Sequence, residues 1–439
     1  MIVMKFGGSS VAGANKIARV VAIVKSKRAD KPVLVVSAFR GVTDELLALA
    51  KDALKGDLGR LDAIEKRHRD AAAELGTDFA PLVPLFAELR ELARGISLLK
   101  ELTPRTLDRV ASFGERFSVR LVAPAFTKAG VPARAVDAFD AGLLVDERFG
   151  GANPLPAADA AIAKAFAAIK ELPVVTGFVG RTPSGEIATL GRNGSDYSAT
   201  ILGAALGASE IQIWSDTDGI MTADPRLVPT AKPLGTLSFD EACELAYYGG
   251  KVLHPHTLVP AMRKNIPVRV LNTFKPEHPG TAILAKPPAS TSVLKSIAFK
   301  KHQSIVSASS PKMLSGHGFL ARIFTTLARH ELDVDMVSTS EVSVSATTNG
   351  GPGLEAAVAE LSQEFETSVE IGKAVICAVG DGIQAAPGVA ADVFGAVSGA
   401  SVNIRMISQG ASKNNIAFVV DDAQVETAVR ALHARFFKD

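Results

Sequence analysis

Apolar runs and helical stripes alternate along the first two-thirds of the chain. Residues 2–6 are apolar except for Lys5, and Gly7-Gly8-Ser9-Ser10 breaks that run. Ile17, Val20, Val21 and Val24 then recur at helical spacing, predicting a helix from Val11 to Lys27. Pro32 to Ala38 is a continuous apolar stretch of the kind a buried parallel strand carries. It ends in a turn that opens a helix at Asp44. Residues 44–101 carry long, charged helical patterns, predicting two or three helices. The run Lys66-Arg-His-Arg-Asp70 within them, including His68, is expected on a solvated face. Further on, the pattern predicts helices over 106–129 and 157–170 and strands over 131–136 and 172–179. A helix start is predicted at Ala199, a strand from Ile211 into Trp214, a helix over 238–248 and a strand over 268–272. Such alternation makes an α/β sandwich on a mostly parallel sheet.

The rhythm changes after a linker at 286–295. Two related β-α-β-β-α patterns follow, over 296–372 and 373–439, each ferredoxin-like. The first has strands at 334–338 and 341–347, the second at 402–407 and 415–420. The second unit runs out of chain at Asp439, and residues 296–300 are the candidate for its missing edge strand. Small paired units of this kind after an enzyme-like domain (1–285) read as ligand sensors rather than as chemistry.

Composition narrows the classes. The chain has 439 residues, 47% of them hydrophobic, with a mean hydropathy of +0.21, enough for more than one packed domain. No apolar run reaches membrane-spanning length without a charge or turn residue. Met1-Ile-Val-Met-Lys-Phe enters a strand-like run directly, without the basic stretch and cleavage pattern of a secretory leader. Two cysteines, Cys243 and Cys377, give no disulfide framework, so a cytoplasmic location is expected. The net charge is +2 with no basic block, which points away from nucleic acid.

The densest chemistry lies in Thr189-Leu-Gly-Arg-Asn-Gly-Ser-Asp-Tyr-Ser198, which places Arg192, Ser195 and Asp196 within five positions of a turn that opens a helix. Free N–H groups and the dipole at such a turn suit an anion. The strand–turn–helix around Gly7 and Gly8 is a second candidate phosphate cradle. It is not a Walker A loop, because Ala14 and Asn15 stand where Lys and Ser/Thr are required. Lys5, inside an apolar strand, is costly unless it meets an anion. Gly114, inside a predicted helix, costs about 1 kcal/mol against Ala and implies a close approach. Asp137 and Asp140 read as turn residues, and His254-Pro-His256 lacks further metal ligands at suitable spacing, so no metal site is assigned.

Taken together, six motifs resemble aspartate kinase, of the amino acid kinase superfamily. They are Lys5-Phe-Gly-Gly-Ser-Ser10, Val35-Val-Ser-Ala38 with Gly41-Val-Thr43, Ser112-Phe-Gly-Glu115, the 189–198 stretch, Trp214-Ser-Asp-Thr-Asp-Gly-Ile220 with Ala223-Asp-Pro-Arg226, and Gly250-Lys-Val-Leu-His-Pro255. The tail is similar to two ACT domains, and Met313-Leu-Ser-Gly-His-Gly-Phe-Leu-Ala321 with Val334-Asp-Met-Val-Ser-Thr-Ser-Glu341 to the lysine-sensing branch.

The resemblance implies phosphorylation of the β-carboxylate of L-aspartate by ATP, with Mg2+ held mainly by the nucleotide phosphates. It makes Lys5, Asp196 and Lys251 catalytic. Arg192 takes the substrate α-carboxylate and Glu115 the α-ammonium, with Thr43, Phe178 and Ser195 completing the pocket. Lys5, Gly7, Gly8, Ser9, Ser37, Ser215, Asp216, Met221, Arg226 and Lys251 form the nucleotide set. Met313, Ser315, Gly318, Phe319, Leu320, Val334, Asp335, Ser340 and Glu341 form the effector set, with L-lysine as the expected effector and a homodimer through the ACT units. The sequence departs from the family pattern at Asn193, Met221 and Ser315-Gly-His317. Asparagine tolerates a left-handed backbone, so the loop survives the loss of a glycine. The alternatives are another amino acid kinase, for which Glu115 would have no ammonium partner, and a catalytically silent amino-acid-binding regulator.

Overall fold

The structure is a computed structural model that describes residues 1–249, 253–288, 292–314, 316–410 and 412–437. The chain divides into two compact units, residues 1–220, 235–239 and 252–287 on one side and 221–234, 240–251 and 288–439 on the other.

The first unit is built on an eight-stranded sheet. Its strands are β1 (Ile2–Phe6), β2 (Val33–Val36), β3 (Ala133–Val136) and β4 (Leu172–Thr176). A small hairpin pairs β5 (Val179–Arg181) with β6 (Ile187–Thr189), and β7 (Glu210–Ser215), β8 (Thr236–Ser238), β9 (Val268–Asn272) and β10 (Thr281–Leu284) complete the sheet. The order is β3-β4-β2-β1-β7-β9-β10-β8, parallel throughout except between β9 and β10. The helices are α1 (Gly8–Val11), α2 (Ala14–Ser26), α3 (Val42–Ala53), α4 (Gly59–Leu75), α5 (Val83–Leu99), α6 (Pro104–Lys128), α7 (Ala158–Ala167), α8 (Gly194–Leu206), α9 (Phe239–Tyr247) and α10 (Pro255–Lys264). From residue 240 on, α9 belongs to the second unit. Every residue of β1, β2 and β4 is buried, as expected for strands covered on both faces.

Four expectations need correction. The predicted helix from Val11 starts earlier and breaks, because Gly13 at φ 113° separates α1 from α2. The strand read over 172–179 is interrupted where Gly177 N–H bonds Val36 O and Phe178 takes φ 72°. Helix α8 starts at Gly194, not at Ala199, because Asn193 sits at φ 54° and its carbonyl accepts from the Asp196 and Tyr197 amides. That shift places Ser195 and Asp196 in the first turn of the helix. His68 is not on a solvated face. Helical spacing sets it with Leu61, Ile64 and Ala72 on the buried stripe of α4, against the rings of Phe39, Phe86 and Phe117.

The second unit contains a six-stranded antiparallel sheet, order β12-β13-β11-β14-β16-β15. Its strands are β11 (Ser296–Ser309), β12 (Val334–Thr339), β13 (Ser343–Thr348), β14 (Glu366–Val379), β15 (Met406–Gln409) and β16 (Asn415–Asp421). Helices α11 (Phe319–Arg329), α12 (Leu354–Leu361), α13 (Val389–Gly399) and α14 (Val425–Phe436) cover it. The first half of β11, Ser296–Lys300, pairs with Val375–Val379, and its second half pairs with 366–370 across a register shift. Residues 296–300 therefore do supply a strand to the second β-α-β-β-α pattern. Strand β15 begins at Met406, four residues later than read from the sequence.

Segments 221–234 and 240–249, expected with the first unit, pack with the second. Hydrogen bonds explain the difference. Ile297 N–H donates to Thr222 O (2.9 Å), Ser296 Oγ to Met221 O (2.8 Å), and Thr222 Oγ1 bonds His433 Nε2 (2.9 Å). On α9, Glu241 pairs with Lys295, Glu244 accepts from Asn415 (2.5 Å) and Tyr247 donates to Asp335 (2.8 Å). These positions are three residues apart, so they share one helix face.

Candidate active site

In the first unit, parallel strands aim their carboxyl ends at one edge of the sheet, where crossover turns supply free backbone groups. Gly7 N–H donates to Trp214 O (3.1 Å), Ser37 N–H to Phe6 O (3.1 Å) and Arg40 N–H to Gly8 O (3.2 Å). A methyl on Gly8 would lie 2.6 Å from Ala38 O, so only glycine fits that turn. A cavity of about 590 Å³ opens beside these strand ends, walled by Lys5, Ser37, Thr43, Glu115, Phe178, Arg192, Ser195 and Asp196, among others.

Lys5 and Asp196 form a 2.6 Å ion pair, with side chains 11% and 7% exposed. The buried lysine of β1 has thus met its anion inside the chain, from the first turn of α8. Glu115 is 3% exposed, and its Oε1 accepts from Ala38 N–H at 3.1 Å. Its Oε2 has no hydrogen bond of ordinary length. Burial pushes the Glu115 carboxyl up to about 7, against the pull of the Ala38 amide, Lys5 and Ser195. Arg192 is exposed and has no ion-pair or hydrogen-bond partner among the described residues.

The loop that carries Arg192 is tightly framed. Phe178 holds φ 72°, a left-handed backbone that is costly for a bulky residue, with its N–H bonded to Ser198 Oγ (2.9 Å) and its carbonyl to Leu190 N–H (2.8 Å). A methyl on Gly194 would lie 2.6 Å from the Phe178 ring, and one on Gly177 would lie 2.6 Å from Ser195. Side-chain size is thereby excluded on both sides of the turn.

Of the nucleotide set, Lys5, Gly7, Gly8, Ser9 and Ser37 sit at the ends of β1 and β2, and Ser215 and Asp216 at the end of β7. Only Lys5 and Ser37 of these line the cavity. Met221 and Arg226 belong to the second unit, where Arg226 pairs with Asp224 (Nε to Oδ1, 2.9 Å). Lys251, Gly250 and Ser315 lie outside the described residues.

In the second unit, Met313, Phe319 and Val334 join one apolar cluster under α11. Gly318, at φ 87°, precedes Phe319, the first residue of that helix. Asp335 has a side chain only 1% exposed, and both its oxygens are engaged, by Tyr247 Oη (2.8 Å) and Lys300 Nζ (2.6 Å). Leu320 and Glu341 are exposed, and Ser340 closes the β12–β13 turn through Ser343.

Sequence reasoning missed Arg40, Asp44 and Asp108 on the cavity wall. Asp108 is 4% exposed and accepts three hydrogen bonds, from Gly150 N, Thr189 N and Thr189 Oγ1, each 2.8 Å long. Its signal was available, since it stands seven residues before Glu115 on one helix stripe.

The amino acid kinase family model matches residues 1–272 and the ACT domain model matches 306–365 and 376–436. Aspartokinase 3 (chloroplastic) of Arabidopsis thaliana is 39% identical over 99% of this chain and 81% of that protein. The lysine-sensitive aspartokinase 3 of Escherichia coli K12 is 36% identical over 100% of this chain and 99% of that one. The chain belongs to the aspartokinase family. Among solved structures, E. coli aspartokinase III in complex with aspartate and ADP (R-state) matches with a TM-score of 0.87 at 35% identity, covering all of both chains. The same enzyme in complex with lysine and aspartate (T-state) matches with a TM-score of 0.78. No helix among the described residues is long and apolar enough to cross a membrane.

Proposed function

We propose that the chain is an aspartate kinase that transfers the γ-phosphoryl group of ATP to the β-carboxylate of L-aspartate. A β-carboxylate oxygen forms the new bond to phosphorus, the bond to the β,γ-bridging oxygen breaks, and ADP leaves with that electron pair. The acceptor is already ionised at neutral pH, with a reference pKa near 3.9, so no general base is needed. The obstacle is bringing one anion to another, and catalysis is positioning plus charge neutralisation. The observation that carries this reading is one cavity that combines a guanidinium without a partner among the described residues, Arg192, with a buried carboxylate of which one oxygen has no hydrogen bond among them, Glu115. Those two groups suit the α-carboxylate and α-ammonium of an amino acid. Lys5, held by Asp196, then faces the transferring group, with Thr43, Phe178 and Ser195 shaping the pocket and Lys251 assigned to the nucleotide phosphates. An acetylglutamate-type kinase would leave Glu115 buried without an ammonium, which disfavours it.

Among the described residues no three His, Cys, Asp or Glu side chains cluster as a metal cage. Magnesium would come with the nucleotide phosphates, and Asp196, which pairs with Lys5, is the carboxylate assigned to contact it through water. We place the enzyme in the cytoplasm, where Cys243 and Cys377 stay free thiols.

The effector reading is L-lysine at the first ACT unit, in a homodimer formed through these units. Asp335 supports it, because the carboxylate already holds an ammonium, that of Lys300. A bound lysine would bring a second ammonium on its side chain, beyond the α-ammonium that neutral effectors such as threonine also carry.

A single assay separates the readings. The purified chain is incubated with ATP, Mg2+ and aspartate, with hydroxylamine trapping the acyl phosphate. Hydroxamate formation with aspartate and none with acetylglutamate is expected. Absence of hydroxamate with aspartate would overturn the aspartate kinase reading, and product from acetylglutamate instead would favour the acetylglutamate-type kinase.

A further inference from the structure

The helix that supplies Glu115 also carries Asp108. The spacing of seven residues places both carboxylates on one face about 10 Å apart. Leu107, Asp108, Ala111 and Glu115 form the stripe of α6 that lines the cavity. No cation pairs with Asp108 among the described residues. Instead its carboxylate gathers donors from two separate segments. One is the turn at Gly150, and the other is Thr189, the last residue of β6. These segments bracket the loop that carries Arg192. Gly191 packs against the same turn, since a methyl on it would lie 3.2 Å from Gly150 O. Ala152 N–H also bonds Thr189 O (2.8 Å). The far side of the loop is held by Gly194 against Phe178.

We infer that Asp108 is a positioning residue for aspartate binding, which holds the Gly150 turn and Thr189 together so that the Arg192 guanidinium stands at a set distance from Glu115. One helix face would then fix both ends of the substrate backbone: Glu115 directly, and the α-carboxylate through Asp108 and the loop. The inference rests on the reading that Arg192 grips aspartate. The role needs acceptors, not charge. An asparagine can present its oxygen to the two amides, and its NH2 group to the Thr189 hydroxyl, which can turn to accept.

The test is steady-state kinetics on the full chain, with melting curves alongside. Asp108→Ala is expected to raise KM for aspartate about tenfold or more, leaving KM for ATP within about twofold. A purely structural role would lower the active fraction, and so kcat, without moving KM for one substrate. Asp108→Asn should recover most of the lost affinity, and Thr189→Val should give a smaller rise of the same kind. In an Arg192→Ala background, Asp108→Ala should add less than about twofold, because the group it positions is gone. If Arg192→Ala leaves KM for aspartate unchanged, the Arg192 reading fails and takes this inference with it. If Arg192→Ala raises KM but Asp108→Ala does not, or raises both KM values together, only the role of Asp108 is overturned. Should Asp108→Ala fail to fold, Thr189→Val carries the same criterion.

Discussion

A methyl group on Gly114 would lie 2.7 Å from the Cβ of Ala38. Real side chains do not approach so closely, so α6 touches the end of β2 with no space to spare. The contact matters because the next residue on the helix, Glu115, takes its hydrogen bond from Ala38 N–H. Gly114→Ala should improve helix propensity by about 1 kcal/mol yet still destabilise, since overpacking costs about 1–3 kcal/mol. KM for aspartate should rise several-fold as Glu115 is pushed away. A melting temperature above that of the parent, with unchanged KM, would refute the close contact.

Glu115 should be costly to the empty enzyme. Its folded pKa of about 7 lies above the ordinary carboxyl value of 4.5, so the folded state holds its proton longer than the unfolded chain does. The cost therefore grows as pH rises from 4.5 and is complete above 7, at roughly 3 kcal/mol. Glu115→Gln should melt higher than wild type at pH 8, and the two should converge near pH 5. It should also lose aspartate affinity, which joins the gain in stability to a loss of function.

His68 has the opposite sign. Burial among phenylalanine rings lowers its pKa from 6.5 to about 4, with the Ile64 carbonyl opposing the shift. Stability should fall as pH drops from 6.5 to 4, by up to about 3 kcal/mol. His68→Phe should flatten that part of the stability profile. Equal pH dependence of variant and parent would count against a buried, neutral imidazole.

The pairing of Lys5 with Asp196 complicates the obvious lysine variant. Lys5→Ala leaves a buried carboxylate without its cation, which typically costs about 3–5 kcal/mol. Lys5→Met combined with Asp196→Asn should restore much of the melting temperature and none of the kcat. Substantial kcat in that double variant would remove Lys5 from the reaction.

Lys300 occupies the carboxylate that lysine is proposed to take. Lys300→Met should lower the lysine concentration that gives half inhibition, because an internal competitor has been removed. Asp335→Ala should be insensitive to lysine. Titrations of activity with lysine and with threonine test both variants, and a lysine-insensitive parent would end the effector reading.

Much of this protein could be read along the chain. Alternating apolar strands and helical stripes needed only local periodicity, and they fitted β1, β2, β7 and α6 closely. Gly114 inside a helical pattern implied a close approach, and Ala38 stands where its Cβ would be. The cost of burying Lys5 in an apolar strand implied an anion, and Asp196 is that anion. What the tertiary structure alone decided were pairings between residues far apart in sequence. His68 looked like one charge in a solvated run, because its burial depends on rings contributed by α5, α6 and Phe39. Asp108 was passed over along the chain, because its donors come from Gly150 and from Thr189, 42 and 81 residues away. Segments 221–234 and 240–249 read as part of the first unit, since nothing local marks the strand and helix that claim them. Local propensity is written in each short window of sequence, whereas the partner that satisfies a buried polar atom is chosen only when distant windows meet.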